Sequence, residues 1–104
     1  MKEIDQYEFD MAVIETSSVN KNRVFVVNHS DAQIKREVIQ RTKTVILLAE
    51  KYKFKADPSS PYKVMDCDQA DILITDNKLK SQYRKYFRKN IKIPEVLVEE
   101  QRNR

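Results

Sequence analysis

The side chains able to do chemistry in this sequence are few and unevenly placed. Seven basic residues fall between Lys78 and Lys92, a stretch with no acidic residue. Of the 20 lysines and arginines, 13 then remain against 16 acidic residues, so the net charge of +4 is a local excess. Within that stretch Lys78, Lys80, Arg84, Lys85 and Arg88 could contact nucleic-acid phosphates, which gives affinity without base readout. The same cations could instead form the solvated face of a helix, where positive charge suits the C-terminal end. Glycine is absent, against an average use of about 7%. A glycine-rich phosphate loop is thereby excluded, because such loops need φ > 0 and close backbone approach. His29 stands alone before a helix start. The single cysteine, Cys67, lies between Asp66 and Asp68, whose charges raise a thiol pKa and lower its nucleophilicity. No soft or imidazole partner near it completes a metal set. There is no Ser/His/Asp set and no carboxylate pair at a supported spacing. The expectation is a protein without catalytic residues, metal or cofactor, hence not an enzyme.

The elements that must position these residues are marked by apolar runs. Met11-Ala12-Val13-Ile14 reads as a buried strand, and Val24-Phe25-Val26-Val27 as a second, edge strand. Ser30-Asp31-Ala32-Gln33 has the form of a capping box, and a helix is predicted from Asp31 to Arg41 with Ile34, Val38 and Ile39 on its apolar side. Thr44 to Ala49 is continuous and apolar, as a central strand covered on both faces should be. Glu50 to Pro61 reads as a loop, Tyr62 to Met65 as a short strand, and Asp71 to Thr75 as a clear one. Asp76 is placed to cap a helix from Asn77 to Arg88, whose Leu79, Tyr83, Tyr86 and Phe87 share one arc and read as core. A last strand is predicted over Glu95 to Val98, followed by a frayed tail. This is an α/β pattern with a mostly parallel sheet and helices on both faces. Ligands of such sheets sit beyond the carboxyl ends of the strands, here Glu15-Thr16-Ser17, Glu50 to Lys53, and Thr75-Asp76.

The chain has 104 residues, 40% hydrophobic and 35% charged, which suits one soluble domain over residues 1–104. No apolar run approaches the roughly 20 residues that span a bilayer. Without a signal-like apolar region after Met1, and with one cysteine, the cytoplasm is the expected compartment.

Four segments carry a family resemblance. Phe9 to Val19, Ala32 to Ile39, Leu47-Leu48-Ala49-Glu50-Lys51-Tyr52-Lys53-Phe54 and Asp71-Ile72-Leu73-Ile74-Thr75-Asp76 resemble, in order and spacing, motifs of the C-terminal effector domain of DeoR/GlpR-type repressors of sugar operons. The resemblance runs from about Phe9 to Val98 and implies the related ribose-5-phosphate isomerase-like fold, incomplete at its N-terminus. It implies a transcriptional regulator of sugar metabolism, such as a phosphotransferase-system operon repressor. Such a protein senses a phosphorylated sugar and controls DNA binding by a helix-turn-helix domain outside this chain. By the same resemblance the effector-binding residues are Lys53, Lys35, Asp10, Glu50 and Asp76: lysines as point charges on phosphate, carboxylates as acceptors from sugar hydroxyls. Where the family has glycines in the first strand-end loop, this chain has Glu15 and Ser18. A strand edge left uncovered by the missing part should make the chain a homo-oligomer. The alternative is a small basic nucleic-acid-binding or protein-interaction module using a helix over 77–89.

Overall fold

The structure, a computed structural model, describes residues 7–76 and 78–94. Its elements in chain order are strands β1 (Phe9–Glu15), β2 (Ser18–Asn20) and β3 (Arg23–Val26), helix α1 (His29–Gln40), strands β4 (Thr42–Leu48), β5 (Tyr62–Asp66) and β6 (Ile72–Ile74), and a one-turn helix α2 (Ser81–Arg84). One sheet has the order β1-β4-β6 with both pairs parallel, and the second has the order β2-β3-β5 with both pairs antiparallel. The chain is therefore α/β. β4 is the middle strand of the parallel sheet, as its unbroken apolar character requires: Val45, Ile46 and Leu47 are all buried, Leu47 completely.

The second sheet was not foreseen. β3, expected as an edge, is its middle strand, and β2 is too short and polar to register in a periodicity reading. The two are joined by the pair Lys21-Asn22, with Lys21 at φ 59°. This left-handed position is one that glycine usually fills and that costs other residues roughly 1–2 kcal/mol.

Helix α1 begins two residues earlier than the capping-box reading placed it. Asn28, not Ser30, is the N-cap, and its side chain accepts from the amide of Asp31 at 3.0 Å. Its inward face also differs. Ala32 and Ile39 are buried while Ile34 is exposed. The inward stripe runs 32, 35, 36, 39, because the half-buried stems of Lys35 and Arg36 take the intervening places. Their charged heads emerge at the rim to donate to the carbonyls of Glu15 and Lys63, as long basic side chains do. So placed, α1 lies over the junction of the two sheets, against β5, β1, β3 and β4.

The expected helix from Asn77 to Arg88 is not formed, Asn77 itself lying outside the described residues. Only Ser81–Arg84 is α-helical, and its N-cap Lys80 provides no side-chain hydrogen bond. Like charges four apart (Lys80 with Arg84, Arg84 with Arg88) oppose a longer helix. The aromatic arc nonetheless packs as expected. Phe87 is buried, and Leu79, Tyr83 and Tyr86 pack against the same core. Residue 92 then pairs with Ile72 and closes the free edge of β6. The predicted strand over Glu95 to Val98 lies outside the described residues. At the other edge, Met11 and Val13 of β1 are 58% and 57% exposed, and among the described residues no strand pairs with the outer side of β1.

Leu47→Ala should cost about 2–5 kcal/mol, the range for emptying a packed aliphatic site. Ile34→Ala should stay within about 0.5 kcal/mol because that side chain faces solvent. Urea unfolding of the two variants checks both assignments.

Candidate functional site: a rim and cleft at the carboxyl ends of the parallel strands

Parallel register puts three strand ends on one line. Glu15 pairs with Leu48, and Leu48 with Ile74. With strands about 4.8 Å apart, the ends of β1 and β6 are roughly 10 Å from each other. The chain after each end builds the rim. The amide of Ala49 donates to the carbonyl of Ile74 at 3.0 Å, and that of Lys53 to Glu50 at 2.9 Å, closing a 3-10 turn over Lys51–Lys53. The amide of Lys51 donates to Oδ1 of Asp76 at 2.7 Å. Asp76 thus ties the turn after β4 to the end of β6 and does not cap a helix after itself.

Beside this tie opens a cleft of about 380 Å³, lined by Lys51, Tyr52, Phe54, Thr75, Lys78, Leu79, Lys80 and Tyr83. That size lies within the roughly 300–1,000 Å³ of small-molecule sites. Phe54 anchors one wall, its ring 5.0 Å from that of Tyr83 and 6.4 Å from that of Phe87. Thr75 is 6% exposed, and its Oγ1 has no hydrogen-bond partner among the described residues. A buried hydroxyl left unmet costs about 1–3 kcal/mol.

The residues singled out from the sequence do not all meet here. Lys53 and Glu50 lie on the rim, Glu50 exposed and Lys53 with its ammonium 4.9 Å over the ring of Tyr52. Lys35 reaches the β1 end of the rim, where it donates to the carbonyl of Glu15 at 3.0 Å and pairs with Asp31 at 3.0 Å. Asp10 belongs to the other end of β1, about 17 Å away at 3.3–3.4 Å per residue; it is exposed and 3.7 Å from Lys43. The loop after β1 is closed by side chains. Thr16 Oγ1 donates towards the carbonyls of Ser18 and Phe25, and Ser18 Oγ donates to that of Lys55. The basic residues of 78–92 share no single face either. Lys78 and Lys80 line the cleft. Arg88 lies at the amino end of β6, donating to the carbonyl of Asp68 at 3.0 Å and pairing with Asp71 at 2.9 Å. Lys85 sits 5.8 Å over Tyr86. Among the described residues no group of three or more His, Cys, Asp or Glu is placed to hold a metal.

Comparison with known families decides the class. Residues 1–77 match the family described as the DeoR C terminal sensor domain, which is most of the chain. The chain belongs to the DeoR C-terminal sensor domain family. It is 29% identical over 76 residues to the HTH-type transcriptional repressor GlcR of Bacillus subtilis (strain 168), a match covering 73% of this chain and 29% of that protein. The chain thus spans less than a third of the length of this curated relative. The DeoR sensor family is one of transcription regulators, and all four sequence motifs described above begin inside the matched residues. The wall formed by Lys78 to Tyr83 lies beyond them.

The sequence placed Lys51 and Thr75 in the strand-end segments where a ligand should sit, but did not single them out; both line the cleft. Thr75 ends an apolar strand, which the sequence does signal, but its lack of a partner is a tertiary fact. That Lys51 and not Lys53 lines the cleft depends on how a 3-10 turn fans out its side chains, and composition carries no trace of that.

Two further residues of this DeoR-type domain do not line the cleft. His29 rests 5.1 Å from the ring of Tyr62. Cys67 is fully buried, and its thiol is pushed up to about 12, by burial first and then by Asp66 and Asp68. The flanking aspartates foreseen from sequence are thus the smaller cause. The native thiol should resist alkylation at pH 8 and react once the chain is unfolded. Because the folded value is raised, the neutral thiol's stabilising contribution is intact below the ordinary value of 9.0 and is lost as pH rises from there towards 12. The loss should run at up to about 1.4 kcal/mol per unit. Denaturation at pH 7 and pH 10 should show this slope in the native chain and not in Cys67→Ala.

Proposed function

We propose that this chain is the effector-sensing part of a repressor of sugar metabolism and that its effector is a phosphorylated sugar bound at the carboxyl ends of β1, β4 and β6. The observation that carries this is the gathering of Lys35, Glu50, Lys53 and Asp76 along one rim of a DeoR-type sensor domain, next to a cleft of ligand size. Ammonium groups there can donate to phosphate or hydroxyl oxygens of a phosphorylated sugar, and exposed carboxylates suit its hydroxyls. Asp10 lies too far away to share that ligand. The site has no catalytic step to perform. Binding acts by favouring one arrangement of the regulator over another, by as much as the ligand's affinity differs between the two. Operator recognition belongs to a helix-turn-helix unit separate from these residues, and the setting is the cytoplasm, where the operon is. No helix among the described residues is long and apolar enough to cross a membrane. A phosphotransferase-system operon is the natural target of such a repressor.

Calorimetry with a panel of hexose and pentose phosphates tests the reading. Binding of one member is expected, with Lys53→Ala losing about 1.5–3 kcal/mol, the scale of hydrogen bonds to charged groups. Unchanged affinity in that variant would remove Lys53 from the site, and silence across the whole panel would end the sugar-phosphate reading.

The open side of β1 favours a homo-oligomer. Among the described residues its outer edge is unpaired and bears exposed Met11 and Val13; such an edge is a template for a second copy, and two-fold dimers are the commonest closed form. Light scattering over a tenfold concentration range should show association that Val13→Lys abolishes. A monomer at every concentration in the native chain would refute it.

A further inference from the structure

We propose that the cleft between the turn Lys51–Phe54 and the segment Lys78–Tyr83 is the subsite for the effector's phosphate group. In this assignment Lys51 and Lys80 supply the charge, with Lys78 beside them, and the Thr75 hydroxyl donates to a phosphate oxygen. The inference rests on the sugar-phosphate reading and moves the anion away from Lys35 and Lys53, where family resemblance alone would put it.

Four observations lead to this assignment. Thr75 lines the cleft, is 6% exposed, and holds the one buried side-chain oxygen without a partner among the described residues. An acceptor entering the cleft is what that hydroxyl lacks, and native proteins seldom leave such a group unmet. Three of the eight lining residues are lysines and none is acidic. The acids nearby are Asp76, which accepts the amide of Lys51, and Glu50, exposed at the start of the turn. Lys35, by contrast, already pairs with Asp31 and donates to Glu15, so a phosphate there would compete with the Asp31 carboxylate for its charge. Finally, a chain without glycine cannot wrap an anion in a glycine-rich backbone nest. Within this chain a phosphate would then be held by side chains, and here the lysines, the hydroxyl and the rings of Tyr52 and Tyr83 line one opening. Those rings offer flat walls to a sugar, the phosphate lying deeper against Thr75.

The test is a set of amide NMR titrations of the 104-residue chain with inorganic phosphate, a panel of hexose and pentose phosphates, and the unphosphorylated sugars. Saturable shifts at Lys51, Thr75 and Lys80 are expected with inorganic phosphate and, more tightly, with a sugar phosphate; the unphosphorylated sugars should leave these amides unmoved. Thr75→Val should weaken the sugar phosphate about tenfold while raising the thermal midpoint, because the unmet hydroxyl is gone. A merely structural role for Thr75 would not produce that opposite pair of effects. Lys51→Ala combined with Lys80→Ala, both at exposed positions, should weaken binding by more than tenfold and decides the matter if Thr75→Val does not fold. Wild-type affinity in these variants, with shifts centred on Lys35 and Lys53, would overturn the subsite and leave the sugar-phosphate reading standing. No response to any phosphorylated probe would overturn both.

Discussion

Every feature of the rim depends on β4 pairing in parallel with both β1 and β6. That pairing brings the ends of β1, β4 and β6 into line at Glu15, Leu48 and Ile74, so the residues that follow each strand must leave on the same side of the sheet. It is held by Leu47, which has no exposed surface and pairs with Ile14 and Leu73 on its flanks. Asp71 secures the opposite end: Oδ2 accepts from the amide of Val45 at 2.8 Å while Oδ1 faces Arg88. One carboxylate thereby sets how far β6 slides along β4. A slip of one residue would turn every side chain to the other face of the sheet and would separate Asp76 from the amide of Lys51.

The lack of glycine shapes the rest. Among the described residues only Lys21 takes a positive φ, so the connections are built from turns that ordinary residues adopt, and side chains tie them together. Thr16, Ser18, Asp57 and Asp76 each hold loop backbone by hydrogen bonds. Asp57 is held below the usual carboxylate range by the hydroxyl and amide of Ser59, the hydroxyl of Ser60 and nearby Lys55. A loop stapled in this manner presents its side chains to solvent. The groups such loops offer are ammonium, carboxylate and hydroxyl.

The basic segment shows how charge and packing divide a stretch of chain. Its aromatic residues are drawn inward, Phe87 into the core and Tyr83 against Phe54. Its cations repel one another at helical spacing, which favours turns over a long helix. Those turns send Lys78 and Lys80 to the carboxyl end of the sheet and Arg88 to the amino end. A continuous basic helix face of the kind that lies along nucleic acid is not built from them.

Taken by itself, the sequence determined what local rules can carry. The apolar run of β4 made it central, the apolar run around Ile72 to Ile74 made β6, the arc of Leu79, Tyr83, Tyr86 and Phe87 belonged to the core, and four motifs in register declared the family. These are statements about one segment and its burial, and burial leaves a trace in residue type. Only the tertiary structure decided the rest. It made β3 the middle of a second sheet, since pairing depends on partners distant in sequence. It chose Asn28 over Ser30 as the cap of α1, two residues that cap almost equally well, by where the chain leaves β3. It turned Ile34 out and the stems of Lys35 and Arg36 in, because the face of α1 is set by the sheet junction beneath it. And it joined Asp76 to Lys51, 25 residues apart, beside a threonine whose hydroxyl meets no partner among the described residues. That last arrangement exists only where two strand ends stand side by side.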